Sequence, residues 1–329
     1  MYDRRVLALL ADFGLTARHI RLPGSYPDAT EADLAETRRL LADLGADTPV
    51  IIDGLAYGAM PAHLIEAVRA PIIALVHHPL CLEAGVAPKR QAELYALEKA
   101  ALALARRVIV TSPTTAQTLT TDFAVPADRI TVAVPGTDPA PRATGTGTPL
   151  QVLAVGSVVP RKAYEVLVRA LVPLRDRDWR LTVAGATDRS AEALAALQKA
   201  VSEGGLGGRV TIAGPVETHE LARMYVTADL FVLPSLFEGY GMVLAEAMAR
   251  GLPIVCTTGG AAAKTAPDDA ALKVAPGDER ALNQAIGRVM DDAGLRRRMS
   301  DASWAAGQVL PRWEDTARNV AGAVAEVAP

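Results

Sequence analysis

Two carboxylates bracket a glycine turn in the segment PSLFEGYGMVLAEAMARGLPIVCTTGG, residues 234–260. Glu238 stands at the turn, and Glu246 follows inside a stretch with helical spacing. Gly239 and Gly241 let backbone N–H groups come close to a ligand. A helix starting near Met242 adds unpaired donors and a positive dipole end, both of which favour phosphate. A carboxylate accepts two hydrogen bonds from a vicinal diol. The segment therefore fits a nucleotide-sugar, with phosphates on the loop, one Glu at a ribose and one at a sugar. On spacing alone it also fits a surface Glu, a turn and an ordinary helix.

A second candidate lies at the end of IIALVHHPL, residues 72–80. His77 and His78 close a buried-type strand, and the carboxyl ends of such strands are where α/β sites form. A structural His pair fits equally well. His19, His63 and His219 are isolated. Arg161-Lys162 reads, by itself, as a solvated basic pair at a helix start. GTGTP at 145–149 imitates a phosphate loop but has no strand-to-helix context. There is no GxxxxGK[ST], no nucleophile elbow and no metal-ligand spacing.

The elements that must position these residues alternate along the chain. Strands are expected at 16–22, 49–53, 71–78, 107–112 and 130–136, and amphipathic helices at 31–44, 89–105 and 112–123. The Pro/Gly/Thr-rich stretch PGTDPAPRATGTGTP at 135–149 reads as a linker. Alternation then restarts, with strands at 150–156, 179–185, 209–214, 229–235 and 253–258. Helices are expected at 163–174, 190–204, 218–228, 242–251, 279–292 and 313–328. Val/Ile-rich strands apolar on both faces imply parallel sheets covered by helices. The domains expected are 1–138, a linker at 139–149, a second domain at 150–310 and a last helix at 311–329. Two such sheets facing each other make a cleft.

Composition limits the alternatives. A chain of 329 residues that is 50% hydrophobic has material for two cores. A net charge of −3 lacks the basic surplus that nucleic acid needs, and 4% aromatic residues leave little for base stacking. Cys81 and Cys256 are too few for a disulfide framework. No apolar run is long enough to span a membrane, and the N-terminus does not read as a signal peptide. A cytoplasmic protein is expected.

The 234–260 segment resembles the donor-binding motif of retaining glycosyltransferases with the GT-B fold, family 4. The family pattern is a Glu, seven residues, then a Glu, within a string similar to EGFG…EA.A.G.PV. Glu238, Gly239, Gly241, Glu246, Ala247, Gly251 and Pro253 match it, followed by Gly259-Gly260. VLAVGSVVPRKAYEVLVRAL, 152–171, is similar to the strand-loop-helix that opens the family's second domain, where an Arg after the glycine and a later Lys hold the donor diphosphate. Lys162 occupies the Lys position, Ser157 replaces the Arg after Gly156, and Arg161 precedes the Lys. A hydroxyl gives one neutral hydrogen bond where a guanidinium gives a charged, often bidentate one. His77 falls at the family's strand-end His. YDRR at 2–5 is similar to the start of the family's first helix, while the strand and glycine loop that precede it there are missing. Either the start is assigned too late, the favoured reading, or the protein is a shortened one.

The resemblance implies two Rossmann-like α/β domains facing across a cleft and a retaining transferase that uses a nucleotide-diphosphate sugar without metal or cofactor. It implies catalytic roles for His77, Glu238 and Lys162. His77 would hydrogen-bond the sugar, and the departing phosphate would serve as base for same-face attack. Donor contacts would come from Gly156, Ser157, Arg161, Lys162, Glu238, Gly239, Tyr240, Gly241, Met242, Val243 and Glu246. His78 and Gly136 would lie on the acceptor side. The acceptor, a lipid, glycan or small metabolite, is not readable; Arg4, Arg5, Arg38 and Arg39 read first as solvated helix faces and second as a peripheral membrane contact. An inert nucleotide-sugar binder on the same fold is the alternative. The last helix, beginning at Trp313, resembles the one that in the family returns to the first domain. Trp304 and Trp313 read as packing anchors.

Overall fold

The structure, a computed structural model, describes residues 1–328. It divides into two compact units, Met1–Gly136 with Pro311–Pro329, and Thr137–Leu310. Each has its own parallel sheet, which is the two-unit α/β class expected from the sequence.

Unit 1 contains α1 (Tyr2–Leu9), α2 (Glu31–Ala42), β1 (Val50–Asp53), α3 (Gly54–Tyr57), α4 (Ala62–Glu66), β2 (Ile72–Val76), α5 (Pro88–Leu104), β3 (Arg107–Val110), α6 (Pro113–Thr121) and β4 (Ile130–Val132). The strands pair in the order β1-β2-β3-β4, all parallel. Local chemistry sets the helix starts. Thr30 and Asp33 form a reciprocal capping box on α2. Ser112 accepts from Thr115 N–H at 3.0 Å, with Pro113 in the first turn of α6. Every residue of β2 is buried, as a central parallel strand requires.

Unit 2 contains β5 (Leu150–Val155), α7 (Tyr164–Leu171), β6 (Trp179–Ala184), α8 (Ala191–Glu203), β7 (Val210–Gly214), α9 (Thr218–Thr227), β8 (Leu230–Leu233), α10 (Met242–Met248), β9 (Ile254–Thr257), α11 (Ala262–Thr265), β10 (Ala271–Val274), α12 (Glu279–Asp291) and α13 (Ala293–Gln308). The last helix, α14 (Trp313–Ala325), belongs to unit 1, where it packs on α1. The order of the second sheet is β10-β9-β8-β5-β6-β7. Strand order therefore reverses between β5 and β8, and ligands of open parallel sheets bind beyond the strand ends at such a point. The segment before β5 lies along unit 2. Asp229 accepts from the N–H groups of Thr146, Gly147 and Gln151, and Ala143 N–H bonds to Arg250 O at 2.8 Å.

One expected strand is absent. Residues 16–22 form neither strand nor helix. Ile20 and Leu22 are half-buried against the core of unit 1, so the apolar alternation supplies a face. It joins no ladder, although β1 is paired on one side only among the described residues. Five elements were not anticipated, the short helices α3, α4 and α11 together with β10 and α13. β10 is four residues between turns, and α13 is a polar helix that Asp292 caps through Leu295 N–H.

Candidate functional site

Two loops meet at the reversal in unit 2. The loop after β5 turns sharply at Gly156, passes Ser157 and closes in a single 3-10 turn, Pro160–Lys162. The loop after β8 carries Glu238. They are tied by backbone, Leu236 N–H to Arg161 O at 2.8 Å, and by side chains. Lys162 Nζ donates to Glu238 Oε1 at 2.6 Å, and Arg161 lies 3.3 Å from the same oxygen. Arg161 also donates to Phe237 O at 2.7 Å. Lys162 is 8% exposed and Glu238 6%, so these are buried charges that stabilise only as a set. Burial alone would raise the Glu238 carboxyl, but the Lys162 and Arg161 cations outweigh it and hold it below the ordinary carboxylate range.

The glycine pair after β9 holds the Glu238 loop from behind. Gly260 has φ +62° and pairs with Glu238 as a parallel bridge, with Glu238 N–H bonded to Gly259 O at 3.2 Å. A Cβ on Gly260 would lie 2.4 Å from Glu238 O, and one on Gly259 would lie 2.2 Å from Leu236 O. Both clashes are with backbone. Gly260→Ala is therefore expected to lower stability by about 3 kcal/mol, read as an earlier midpoint in urea. An unchanged midpoint would mean that the loop is not held there.

Beyond the turn, Gly241 at φ +87° starts α10, and Met242 is its first residue. Gly239, Tyr240 and Val243 are half-buried beside it, and Tyr240 O accepts from Thr265 Oγ1 at 2.5 Å. Glu246, one helical turn further, accepts from Tyr225 OH at 2.8 Å. Arg250 donates to Glu246 O and stacks its guanidinium 4.5 Å from the Tyr225 ring. Burial raises the Glu246 carboxyl, while Tyr225 and Arg250 act the other way. Sequence reading missed Tyr225, because a Tyr on the neighbouring helix carries no spacing signal.

Unit 1 holds the second cluster. His77 directly follows β2, Asp53 ends β1 and Asp3 comes from α1. His77 Nε2 lies 3.4 Å from Asp53 Oδ2 and 3.5 Å from Asp3 Oδ1. The Tyr2 ring meets the imidazole edge-on at 5.3 Å, and Thr111 Oγ1 donates to His77 O. Burial works against a proton on His77, but the two carboxylates outweigh it and push the imidazole up to about 9. His78 points elsewhere and pairs with Glu83 at 2.8 Å. Gly136 lies at the start of α14, where a Cβ would be 2.3 Å from Trp313 N. Trp313 is buried, with Arg5 over its ring, and Trp304 packs beside Gly251 and Arg142.

Family comparison decides what these two units are. Residues 149–292 match the model for glycosyl transferases group 1, and residues 6–141 match that for glycosyltransferase family 4. The chain belongs to the group 1 glycosyl transferases. Similar proteins include the MMP alpha-(1->4)-mannosyltransferase of Mycolicibacterium hassiacum, 28% identical over 80% of this chain and 67% of that protein. The D-inositol 3-phosphate glycosyltransferase of Nocardia farcinica is 32% identical over 61% of this chain and 49% of that protein. The chain thus spans about half to two thirds of these curated relatives. Among solved structures, sucrose-phosphate synthase from Thermosynechococcus elongatus covers 99% of this chain and 92% of its own, with TM-score 0.82 and 23% identity. Anabaena HepE in complex with UDP-glucose covers 89% and 82%, with TM-score 0.72 and 18% identity. At these identities the likeness establishes the fold, which is the GT-B class that the sequence resembled. No helix among the described residues of this glycosyl transferase is long and apolar enough to cross a membrane.

Proposed function

We propose that this chain transfers a sugar, with retention, from a nucleotide-diphosphate sugar to a hydroxyl acceptor. The observation that carries the proposal is the buried Lys162–Glu238–Arg161 set at the reversal of the second sheet. An ammonium has three donors, so Lys162 can hold Glu238 and a diphosphate oxygen together. Arg161 adds fixed positive charge, and both cations stabilise the departing diphosphate without metal. The Glu238 carboxylate, ionised by its neighbours, accepts from hydroxyls of the transferred sugar. Glu246, oriented by Tyr225, binds the ribose diol, and backbone from Gly239 to Val243 lines the diphosphate. Gly156 and Ser157 border the same ligand. Within unit 1, the family resemblance assigns His77 a hydrogen bond to a sugar hydroxyl and assigns His78 and Gly136 to the acceptor side. The HepE structures with UDP and with UDP-glucose support a nucleotide-sugar donor.

The test is a panel of UDP-, GDP- and ADP-sugars, with melting temperature and nucleotide release read together. A cognate donor at a hundred times its Kd adds about 2.7 kcal/mol of stability. Nucleotide should be released faster when an acceptor hydroxyl is supplied. No melting shift with any donor would defeat the proposal. Ser157 favours a second reading, an inert nucleotide-sugar binder, because the arginine of the family pattern is missing there. Binding without release would support that reading. Ser157→Arg is expected to tighten donor binding about tenfold, since a charged hydrogen bond exceeds a neutral one by about 1.4 kcal/mol. Titration calorimetry of the two proteins checks it.

A further inference from the structure

The three polar atoms at His77 are spaced unlike an ordinary ion pair. A charge-assisted N–H···O contact closes to about 2.8 Å. Here Nε2 stands 3.4 Å and 3.5 Å from two different carboxylate oxygens, so one N–H faces two acceptors and closes on neither. Nε2, Asp3 Oδ1 and Asp53 Oδ2 come from three separate elements, and the ligand atoms all lie within 4.8 Å of one another. Around a tetrahedral Zn2+ with ligands at about 2.0–2.1 Å, neighbouring ligand atoms stand about 3.3–3.4 Å apart. Both observed His–Asp separations are close to that edge.

We propose that Asp3, Asp53 and His77 bind a divalent transition-metal cation, Zn2+ being the best fit. The donor set is one imidazole nitrogen and two carboxylate oxygens. That combination suits borderline cations such as Zn2+ and Mn2+ better than Mg2+, which keeps oxygen ligands and several waters. The framework is already built. Asp53 Oδ1 accepts from Leu55 N–H at 2.8 Å, which turns Oδ2 toward His77. Tyr2 OH donates to Ala133 O at 2.9 Å and fixes the start of α1, the helix that carries Asp3. The His77 carbonyl is held by Thr111. Three protein ligands leave a fourth position open to water or a substrate oxygen, and the side chains of all three are more than a third exposed. The site stands on unit 1 alone and does not depend on the donor reading. Cation binding and hydrogen bonding to a sugar hydroxyl would compete for the same nitrogen.

The experiment is isothermal titration of the untagged full chain with ZnCl2 and separately with MgCl2, alongside melting temperature. One Zn2+ per chain is expected, with a raised melting temperature and weaker uptake of Mg2+. Asp3→Asn and Asp53→Asn should each weaken zinc at least about tenfold. Asp3 is exposed on α1, so its variant is expected to fold, and its metal-free melting temperature is the check. The proposal is overturned by no zinc uptake, by equal uptake of Mg2+, or by zinc binding that survives both Asn substitutions. It is also overturned if His78→Gln abolishes binding while Asp3→Asn leaves it intact.

Discussion

Glu238→Ala is expected to lose at least about 100-fold in donor turnover, as removal of a key electrostatic contact does, and about 3 kcal/mol of stability. The stability loss comes from what remains. Lys162 is buried, and the carboxylate that its Nζ now meets at 2.6 Å would be gone. Arg161, the other cation, would add repulsion instead of sharing a partner. Lys162→Met is expected to cost less stability than Glu238→Ala, because Arg161 at 3.3 Å still compensates Glu238. The double replacement Lys162→Met/Glu238→Leu removes both charges of the pair and should regain much of the lost stability. It should not regain turnover, because neither the sugar contact nor the diphosphate contact returns. Urea unfolding and nucleotide release on the same preparations separate the two effects. If Glu238→Ala unfolds at the wild-type midpoint, the buried set is not a stabilising unit. If its turnover stays within threefold of wild type, Glu238 does not touch the donor.

How much of this was legible in the sequence varies with the distance between partners. The 234–260 string is local, so its turn and its helix start at Met242 follow from spacing, while Gly259-Gly260 reads only as a match to the family pattern and its hold on the Glu238 loop emerges from the structure. Arg161-Lys162 alone reads as solvated charge. Only the fold, by setting β5 beside β8, brings the pair onto Glu238 76 residues away. The surroundings of Glu246 and His77 were less accessible still. Tyr225 reaches Glu246 from another helix, and Asp3, Asp53 and His77 come from three elements with no fixed spacing, so no motif search could join them. The missing strand at 16–22 shows the converse limit. Alternating apolar residues define a face, but they do not by themselves bring the backbone onto a sheet edge. β10 and α13 lacked a strong periodic signal and are held by their place beside β9 and α10.

Glu98 sets the second large effect, the dependence of stability on pH. It sits in α5, 1% exposed, and its Oε2 accepts from Leu80 N–H at 2.8 Å, just after the His77-His78-Pro79 turn. Its other oxygen has no hydrogen-bond partner among the described residues. A full negative charge is badly accommodated there. Burial pushes the carboxyl from 4.5 up to about 8, with the Leu80 N–H opposing weakly. Between those values the folded chain holds one proton that the unfolded chain has released. Stability from this group is therefore complete below pH 4.5 and falls by about 1.4 kcal/mol for each pH unit up to about pH 8. Glu98→Gln keeps a carbonyl for Leu80 N–H and cannot titrate. Subtracting its stability from wild type cancels the other groups and isolates Glu98. Urea unfolding of both proteins at pH 5, 6, 7 and 8 should show wild type losing ground by about 4 kcal/mol across the series. Parallel curves would mean that Glu98 is ionised in the folded state and that the turn beside His77 tolerates its charge. A gap that opens against wild type as pH rises would instead make Glu98 the group through which alkaline pH loosens the loop that presents His77.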